Sequence, residues 1–433
     1  MFTPARYLVL DDEESELKAL IDALHVAGVP SIGVKFEAPA LPEPALFAGI
    51  RILFSDLHLV KAQPAGVQHY NTLASILDRC IPDNHGPYLL VLWTSHEAER
   101  AALAARLEEI LPANKKPITV LALDKTILRA GDAWDAEGIR DAIKQQIDSI
   151  PQLKALLNWE RDVLTAANST LALVNGLIPD GQRTAAAYPG ALDRVLSVLA
   201  SAAAGPSNAP QDRKGAVTAA LSPLLTDRIL NQVHDQDSAD LWKRAVTFSA
   251  TAPLTPAQKA KMHRMLHLAI PPAEAVTQTD WGAVIPLGAQ QITDEAMKAR
   301  FGVTAGYLRE TEFKLKQTRR EEGNLVAIRV GAACDHAQGN AGPIPILLGL
   351  LVPSTALQDK SRSPAIHTCK QQFELQGYVE PVSLLVHARF PMSAVSEEIL
   401  AWPPAIFRLR EQLLTAILVH TATYAMRPGT LLF

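Results

Sequence analysis

Four apolar runs in the first third of the chain end in polar residues whose types suit phosphate chemistry. The first run ends at the adjacent acids Asp11 and Asp12, and the second ends at Asp56. The third is followed by the hydroxyl of Thr94, and the fourth by the ammonium of Lys125. The runs themselves are residues 7–10, 50–55, 88–93 and 118–124. Two acidic sites, a hydroxyl and a lysine at four strand ends predict one Mg²⁺-dependent site that accepts a phosphoryl group.

The residue types follow from what such a site must do. In an open α/β sheet, ligands bind outside the carboxyl ends of the strands, where all of these residues would lie. A carboxylate nucleophile can take up a phosphoryl group as an acyl phosphate. Mg²⁺ binds carboxylate and phosphate oxygens, so we assign Asp11 or Asp12, together with Asp56, to that ion. Thr94 would hydrogen-bond one phosphoryl oxygen and Lys125 would pair with another.

Residues 1–150 resemble the receiver domain of bacterial response regulators. The matching residues, all in family order, are Asp11, Asp12, Asp56, Thr94 and Lys125. The resemblance implies a flavodoxin-like parallel sheet with strand order 2-1-3-4-5 and Asp56 as the phosphoacceptor. It also implies a histidine kinase or phosphotransfer protein as the partner that donates the phosphoryl group. An ordinary α/β domain with polar strand ends remains the alternative interpretation.

The chain departs from the family pattern around these residues. Lys125 is followed by Thr126 where receivers usually carry proline, the strand before it has no aromatic residue, and no Pro-Gly follows Asp56. These changes keep the phosphoacceptor residues but put the usual aromatic-coupled output in doubt. The stretch Trp93-Thr94-Ser95-His96 resembles a divergent receiver branch associated with prokaryotic conflict and phage-defence operons.

Composition limits the class of protein. A chain of 433 residues predicts two or three domains, and 48% hydrophobic with 20% charged residues is ordinary for a folded soluble protein. A net charge of −4 does not favour nucleic-acid binding. Three cysteines make no disulfide framework, and we find neither a signal peptide nor an apolar run long enough for a membrane span. We therefore expect a cytoplasmic protein without membrane contact.

The pattern of apolar residues changes twice along the chain. After the α/β region, residues 151–270 carry helical periodicity and are rich in Ala and Leu. Residues 271–433 return to strand-like runs separated by Gly and Pro, and end in a helical segment at residues 406–424. We predict a multidomain protein: an α/β receiver-like domain at 1–150, an all-helical connector at 151–270, and a β-rich, barrel-like output domain at 271–433 with a terminal helix.

The predicted output domain contains a second set of candidate ligands. The motif Cys-x-His at Cys334 and His336 is mirrored by the motif His-x-Cys at His367 and Cys369. Thiolate and imidazole suit tetrahedral Zn²⁺. One intervening residue strains capture of a single ion, although residues i and i+2 of a strand share a face. The alternative is two strand or loop ends with buried cysteines and hydrogen-bonded histidines. In a third interpretation, a polar turn at 334–339 and the segment Arg427-Pro428-Gly429 together shape a recognition pocket.

A further alternative is a nuclease site. Glu312 and Lys314 form the Glu-x-Lys part of a metal-dependent nuclease pattern, which also needs an upstream metal-binding aspartate such as Asp280 or Asp294. The surrounding mixed charge is typical of a solvated helix. We find no nucleophile elbow, Walker loop or dinucleotide fingerprint, so catalysis beyond phosphoacceptance stays an open question.

Three functional hypotheses follow. The first is a two-component-type signalling protein in which phosphorylation of Asp56 switches a C-terminal interaction or effector module, in the setting of prokaryotic antiphage defence. The second is a receiver-regulated effector enzyme, a nuclease or metal-dependent hydrolase. The third is a pseudo-receiver scaffold that never accepts phosphate. An effector protein is a further candidate partner, and the sequence also allows a homodimer.

Overall fold

The computed structural model describes most of the chain. The described residues are 5–60, 66–94, 97–125, 129–130, 133–233, 235–248, 253–339, 342–358 and 362–427. Five residues singled out above lie outside these ranges: Ser95, His96, Thr126, Pro428 and Gly429.

The chain divides into two compact units. Unit 1 comprises Met1–Leu164 and Gln232–Phe248, and unit 2 comprises Thr165–Asn231 and Ser249–Phe433. The division into domains at 1–150, 151–270 and 271–433 stays a prediction.

Unit 1 contains the predicted five-stranded parallel sheet, in the order β2-β1-β3-β4-β5. Its strands are β1 (Tyr7–Asp11), β2 (Ser31–Lys35), β3 (Ile52–Ser55), β4 (Leu89–Thr94) and β5 (Thr119–Asp124). The three central strands are almost entirely buried, because helices cover both faces of the sheet. Continuous apolar runs are the sequence signature of such strands, so the predicted fold of this region is confirmed.

Four helices follow the strands of this sheet. They are α1 (Glu14–Val26), α2 (Val67–Cys80), α3 (Arg100–Ile110) and α4 (Ala136–Asp148). Shorter elements are 3-10 turns at 44–47, 97–99 and 113–115, and two-residue strands β6 (Arg129–Ala130) and β7 (Ala133–Trp134). Helix α1 buries Leu17, Leu20 and Leu24 against one face of the sheet, as its apolar spacing predicts. This packing fixes the loop between β1 and α1, which carries the paired acids.

The described part of the predicted helical region contains five α-helices. They are α5 (Pro151–Gly176), α6 (Tyr188–Ala204), α7 (Arg213–Leu230), α8 (Gln236–Ala245) and α9 (Pro256–His267). The first half of α5 belongs to unit 1. There Glu160 receives two hydrogen bonds from Arg51, at 2.9 and 3.0 Å, and pairs with Arg6 at 2.7 Å. Both arginines directly precede strands of the parallel sheet, so this carboxylate fastens α5 to the amino-terminal edge of that sheet.

The second sheet has seven antiparallel strands and curls into a half-barrel, in the order β12-β13-β11-β10-β9-β14-β8. Its strands are β8 (Leu268–Ala269), β9 (Ala283–Pro286), β10 (Asn324–Arg329), β11 (Ile344–Pro353), β12 (Ile366–Phe373), β13 (Val382–Ala394) and β14 (Phe407–Leu409). The terminal helix is α14 (Glu411–Ala425), which packs three buried apolar side chains on the core of this sheet. The predicted β-rich fold with a terminal helix is thereby confirmed.

Short helices complete unit 2. They are α10 (Asp294–Phe301), α11 (Ala305–Tyr307), α12 (Ala333–Gln338), α13 (Ser396–Leu400), a π-helical turn at Leu308–Glu312, and 3-10 turns at 180–182, 317–322 and 354–356. Asn208 donates a 2.5 Å hydrogen bond to the carbonyl of Ala337 and so joins α12 to the loop after α6. Among the helices of the described ranges, none combines the length and the apolarity needed to cross a bilayer.

Candidate functional site

Strand register brings the sequence-predicted acids to one edge of the parallel sheet. Leu10 of β1 pairs with Ser55 of β3, so the next residues, Asp11 and Asp56, come side by side. The backbone N–H of Asp56 donates to the carbonyl of Leu10 at 3.0 Å, which continues the ladder one step past the last pair. Asp12 opens the loop to α1 beside them. This edge is the carboxyl end of the strands, where ligands of open α/β sheets bind.

Three carboxylates meet at this edge. One oxygen from each of Asp11, Asp12 and Asp56 lies within 4.8 Å of the others. Local backbone donors orient two of them: the N–H of Glu13 donates to Asp11 Oδ1 at 2.8 Å, and the N–H of Leu57 donates to Asp56 Oδ1 at 2.8 Å. The loops therefore hold the carboxylates close together in spite of their mutual repulsion.

Burial makes this concentration of charge costly for Asp11. Its side chain is almost fully enclosed, with 1% of the residue exposed. Burial raises the pKa of Asp11 to about 6, the Glu13 N–H and Lys125 work in the opposite direction, and Asp56 and Glu16 raise it further. A carboxyl group with this pKa carries an unfavourable charge at neutral pH, which a bound cation would neutralise.

Lys125 lies among these carboxylates. Its ammonium is 3.5 Å from Asp56 Oδ1 and 3.8 Å from Asp11 Oδ2, and it donates a short hydrogen bond to Glu16 Oε2. Burial alone would lower the pKa of Lys125, but the carboxylates of Asp56, Glu16 and Asp11 together raise it. The lysine is therefore a charged group that already touches the predicted phosphoacceptor.

Thr94 is the last residue of β4 and is buried, with 1% exposed. It pairs with Asp124 in β5, and its carbonyl accepts the backbone N–H of Lys125 at 3.3 Å. The parallel register thus places Thr94 at the same edge as the acids and the lysine. Its predicted contact with a phosphoryl oxygen stays a prediction.

The residues of this edge fit a Mg²⁺ ion. The donors are carboxylate oxygens, which are the hard ligands that Mg²⁺ selects, and they come from a cluster small enough for one ion to contact. Burial is the main cause of the elevated pKa of Asp11, and the nearby carboxylates of Asp56 and Glu16 add to it although Lys125 acts in the opposite direction. Asp11, Asp12 and Asp56 are therefore the residues that would hold the metal.

Sequence reasoning missed one neighbour of the cluster and one separate polar group. Glu16, in the first turn of α1, contacts Lys125 directly, and the excess of acids after β1 was the available signal. A separate polar group was missed as well: Glu99, at the end of the 3-10 turn after β4, accepts a hydrogen bond from the hydroxyl of Tyr70 on α2 at 2.9 Å and lies 3.6 Å from Nε2 of His58, which follows β3. No spacing in the sequence pointed to this second group, because its members come from three separate segments.

The candidate zinc residues do not form one ligand set. Cys334 and His336 lie on the short helix α12, whereas the sequence predicted strand or loop ends for them, and His367 and Cys369 lie on β12. Within the described ranges, the Asp11–Asp12–Asp56 cluster is the one group of three or more possible His, Cys, Asp or Glu ligands close enough to share an ion. Burial also raises the pKa of Cys369 to about 12, which disfavours the thiolate that zinc needs.

The Glu-x-Lys segment does not have the geometry of a metal-dependent nuclease either. Glu312 ends a π-helical turn rather than lying on a solvated helix, and it is buried. Its carboxylate accepts a 2.9 Å hydrogen bond from His387 Nε2 and lies 3.6 Å from Arg389. Asp280 is engaged by its own turn, where it accepts from the backbone N–H and the hydroxyl of Thr277. The structure therefore groups Glu312 with an imidazole and a guanidinium, and not with Asp280.

Comparisons with known proteins add little to this geometry. No protein-family model and no curated protein matches the chain. Solved structures do match, among them a crystal structure of full-length FixJ from B. japonicum, a response regulator, which is 13% identical and covers 57% of this chain and 99% of that chain. The TM-score of that superposition is 0.21, too low to carry an argument. The receiver-like character of unit 1 therefore depends on its strand order and on the residues at the carboxyl edge of its sheet.

Proposed function

We propose that this protein is a two-component-type signalling protein whose Asp56 accepts a phosphoryl group. One observation carries the proposal: three carboxylates and one lysine converge at the carboxyl edge of a parallel sheet in the order 2-1-3-4-5. Three clustered carboxylates would not be expected at a strand edge that only stabilises the fold, because the acids repel one another.

The reaction is a transfer between two nucleophiles. Asp56 Oδ1 already accepts the N–H of Leu57, so we assign the attack on phosphorus to Oδ2. The new O–P bond forms as the P–N bond of a donor phosphohistidine breaks, and the imidazole leaves with the bonding electron pair and takes up a proton. The product is an aspartyl phosphate and a neutral histidine on the donor, so we propose a histidine kinase or phosphotransfer protein as the partner.

The remaining residues stabilise charge. Mg²⁺, when bound, would neutralise negative charge shared between the carboxylates and the incoming phosphoryl group. Lys125 is close enough to Asp56 to pair with a phosphoryl oxygen after a small displacement of its ammonium. The hydroxyl of Thr94, at the adjacent strand end, would donate to another phosphoryl oxygen.

The output is proposed to reside beyond the phosphoacceptor domain. The phosphoryl group adds about two negative charges, which is enough to bias a two-state element. We propose a receiver-like domain at 1–150, a helical connector at 151–270 and an interaction or effector module at 271–433, acting in a cytoplasmic, antiphage setting. The fifth strand supplies no aromatic switch residue, so the coupling would differ from that usual in receivers.

The test is direct phosphorylation of the full chain. With Mg²⁺ and a small phosphodonor such as acetyl phosphate, intact-mass spectrometry should show one added phosphoryl group that hydroxylamine removes, as expected of an acyl phosphate. Asp56→Asn should abolish the adduct. Asp83→Asn, which changes an exposed carboxylate of the same unit, is the matched control and should leave the adduct intact.

Two results would overturn the proposal. An adduct that persists in Asp56→Asn would place the phosphoryl group elsewhere. The second result is a wild-type chain that forms no adduct and also fails to bind beryllofluoride with Mg²⁺ in calorimetry. That result would identify unit 1 as a non-phosphorylated scaffold.

A further inference from the structure

We propose that Glu16 is a positioning residue that competes with the phosphoryl group for Lys125 and thereby sets how tightly the site holds a phosphorylated state. The inference rests on the proposed function and concerns the regulation of that same site. It begins from a contact that the predicted phosphoacceptor residues do not require. The short hydrogen bond of Lys125 goes to Glu16, while Asp56 and Asp11 lie farther from the ammonium.

Helix α1 delivers Glu16 to this position. The helix begins at Glu14, directly after the acidic loop, so its first turn faces the carboxyl edge of the sheet. Leu17 and Leu20 anchor the next residues of α1 in the core beside β1. The backbone of Glu16 is therefore held by packing, and its carboxylate reaches Lys125 from the helix side of the cluster.

The balance of charge makes this contact competitive. The carboxylates of Asp11, Asp56 and Glu16 all lie within 4.0 Å of the single Lys125 ammonium. A phosphoryl group on Asp56 would be a fourth and stronger acceptor for the same donor. The lysine cannot satisfy it fully while it remains bound to Glu16.

The three acids differ in how easily they can release the lysine. The Asp11 side chain is 2% exposed and that of Asp56 is 14% exposed, whereas the Glu16 side chain is 35% exposed. A released Glu16 can turn to water at little cost, whereas Asp11 cannot. Glu16 thus behaves as a detachable partner that stabilises the lysine before phosphorylation and opposes its transfer to the phosphoryl group.

The experiment compares the affinity of four full-length proteins for beryllofluoride in the presence of Mg²⁺, measured by isothermal titration calorimetry. We expect Glu16→Gln to bind about tenfold more tightly than wild type, a difference of about 1.4 kcal/mol. Glu16→Asp keeps the charge and should remain close to wild type. Glu14→Gln removes an acid from the same turn of α1 that pairs with Lys35, and it should leave the affinity unchanged.

A second readout separates positioning from a general structural role. In Mg²⁺-free protein, the side-chain ammonium signal of Lys125 in ¹⁵N NMR should shift in Glu16→Gln and not in Glu14→Gln. Equal affinity gains in both variants would reduce the effect to unspecific loss of negative charge and overturn the inference. Wild-type binding that Glu16→Gln does not strengthen would overturn the inference alone, whereas no binding in any of the four proteins would overturn the proposed function itself.

Discussion

Two buried carboxylates, one in each unit, illustrate different uses of the same chemical group. Asp11 in unit 1 shares its surroundings with Asp12 and Asp56, so the acids of this described cluster outnumber Lys125 beside them. Glu312 in unit 2 is matched instead: it accepts from His387 Nε2 and lies near Arg389. Under the proposed function, the unmatched cluster would receive a cation and a phosphoryl group, whereas the Glu312 group already has partners for its charge.

Protonation states reinforce this contrast. His387 Nδ1 accepts the backbone N–H of Arg389 at 3.2 Å, so Nε2 carries the hydrogen and donates it to Glu312. Burial lowers the pKa of His387, although the Glu312 carboxylate acts in the opposite direction. The pKa of Asp11 is displaced upward to about 6. The environment therefore accommodates the Glu312 pair and opposes the charge on Asp11.

The largest expected effect comes from breaking the matched group. His387→Ala removes the hydrogen bond to a buried carboxylate and leaves a void, so we expect a loss of about 3 kcal/mol in the free energy of unfolding of unit 2. This loss is measured by denaturant titration, with hydrogen-exchange mass spectrometry of peptides from β13 as the readout. His367→Ala, at a half-buried histidine of the same sheet, is the control and should cost less than about 1 kcal/mol. Equal losses in both variants would show that the Glu312 contact has no special weight.

A change from carboxylate to amide should have opposite signs in the two regions. Glu312→Gln weakens a charge-assisted hydrogen bond and should destabilise unit 2 by about 2 kcal/mol. Asp11→Asn keeps an acceptor for the Glu13 N–H and removes repulsion, so in Mg²⁺-free buffer at neutral pH it should stabilise unit 1 by about 2 kcal/mol. The same titrations measure both changes, with peptides from β11 reporting on unit 2 and peptides from β1 reporting on unit 1. Destabilisation in both regions would mean that Asp11 is as well matched as Glu312.

The smallest expected effect is a pH dependence of the stability that Asp11→Asn adds to unit 1. The folded-state pKa of Asp11, about 6, lies above the ordinary value, so protonation of Asp11 stabilises the fold. That contribution is complete below about pH 4 and is lost as the pH rises through about 6. The advantage of Asp11→Asn over wild type should therefore shrink by about 1 kcal/mol between about pH 7 and about pH 5 without Mg²⁺. An advantage that is constant or grows on acidification would contradict the assigned pKa direction.

The parallel sheet was predictable because its central strands are buried on both faces and read as unbroken apolar runs. The antiparallel sheet was only partly predictable. In β12 the buried residues Ile366, Cys369 and Phe373 do not alternate, because the register of this strand shifts between Thr368 and Gln372. The two-residue β8 is too short to leave a pattern. Residues 407–409 were predicted to begin the terminal helix but form β14 instead, since they pair with β8 and β9.

The candidate site was also only partly predictable from the sequence. The acids, Thr94 and Lys125 each follow an apolar run, so sequence order alone places them at one edge of the sheet. Glu16 lies within a helix, and its contact with Lys125 depends on how α1 packs on the sheet. Likewise the i, i+2 spacing of Cys334 and His336 predicted one shared strand face, but the segment folds as a helix, where such residues point in different directions.

The attachment of Glu160 to Arg6 and Arg51 bears on where the amino-terminal domain can be cut. Sequence patterns placed its boundary at residue 150, yet the carboxylate that neutralises both arginines lies ten residues later, in the first half of α5. A fragment truncated at the predicted boundary would lose Glu160 and Leu157, and it would expose two guanidinium groups and the apolar side chains of Tyr7 and Ile52. A protease that trims the full chain should therefore spare the first half of α5, up to about residue 164, and cut outside it.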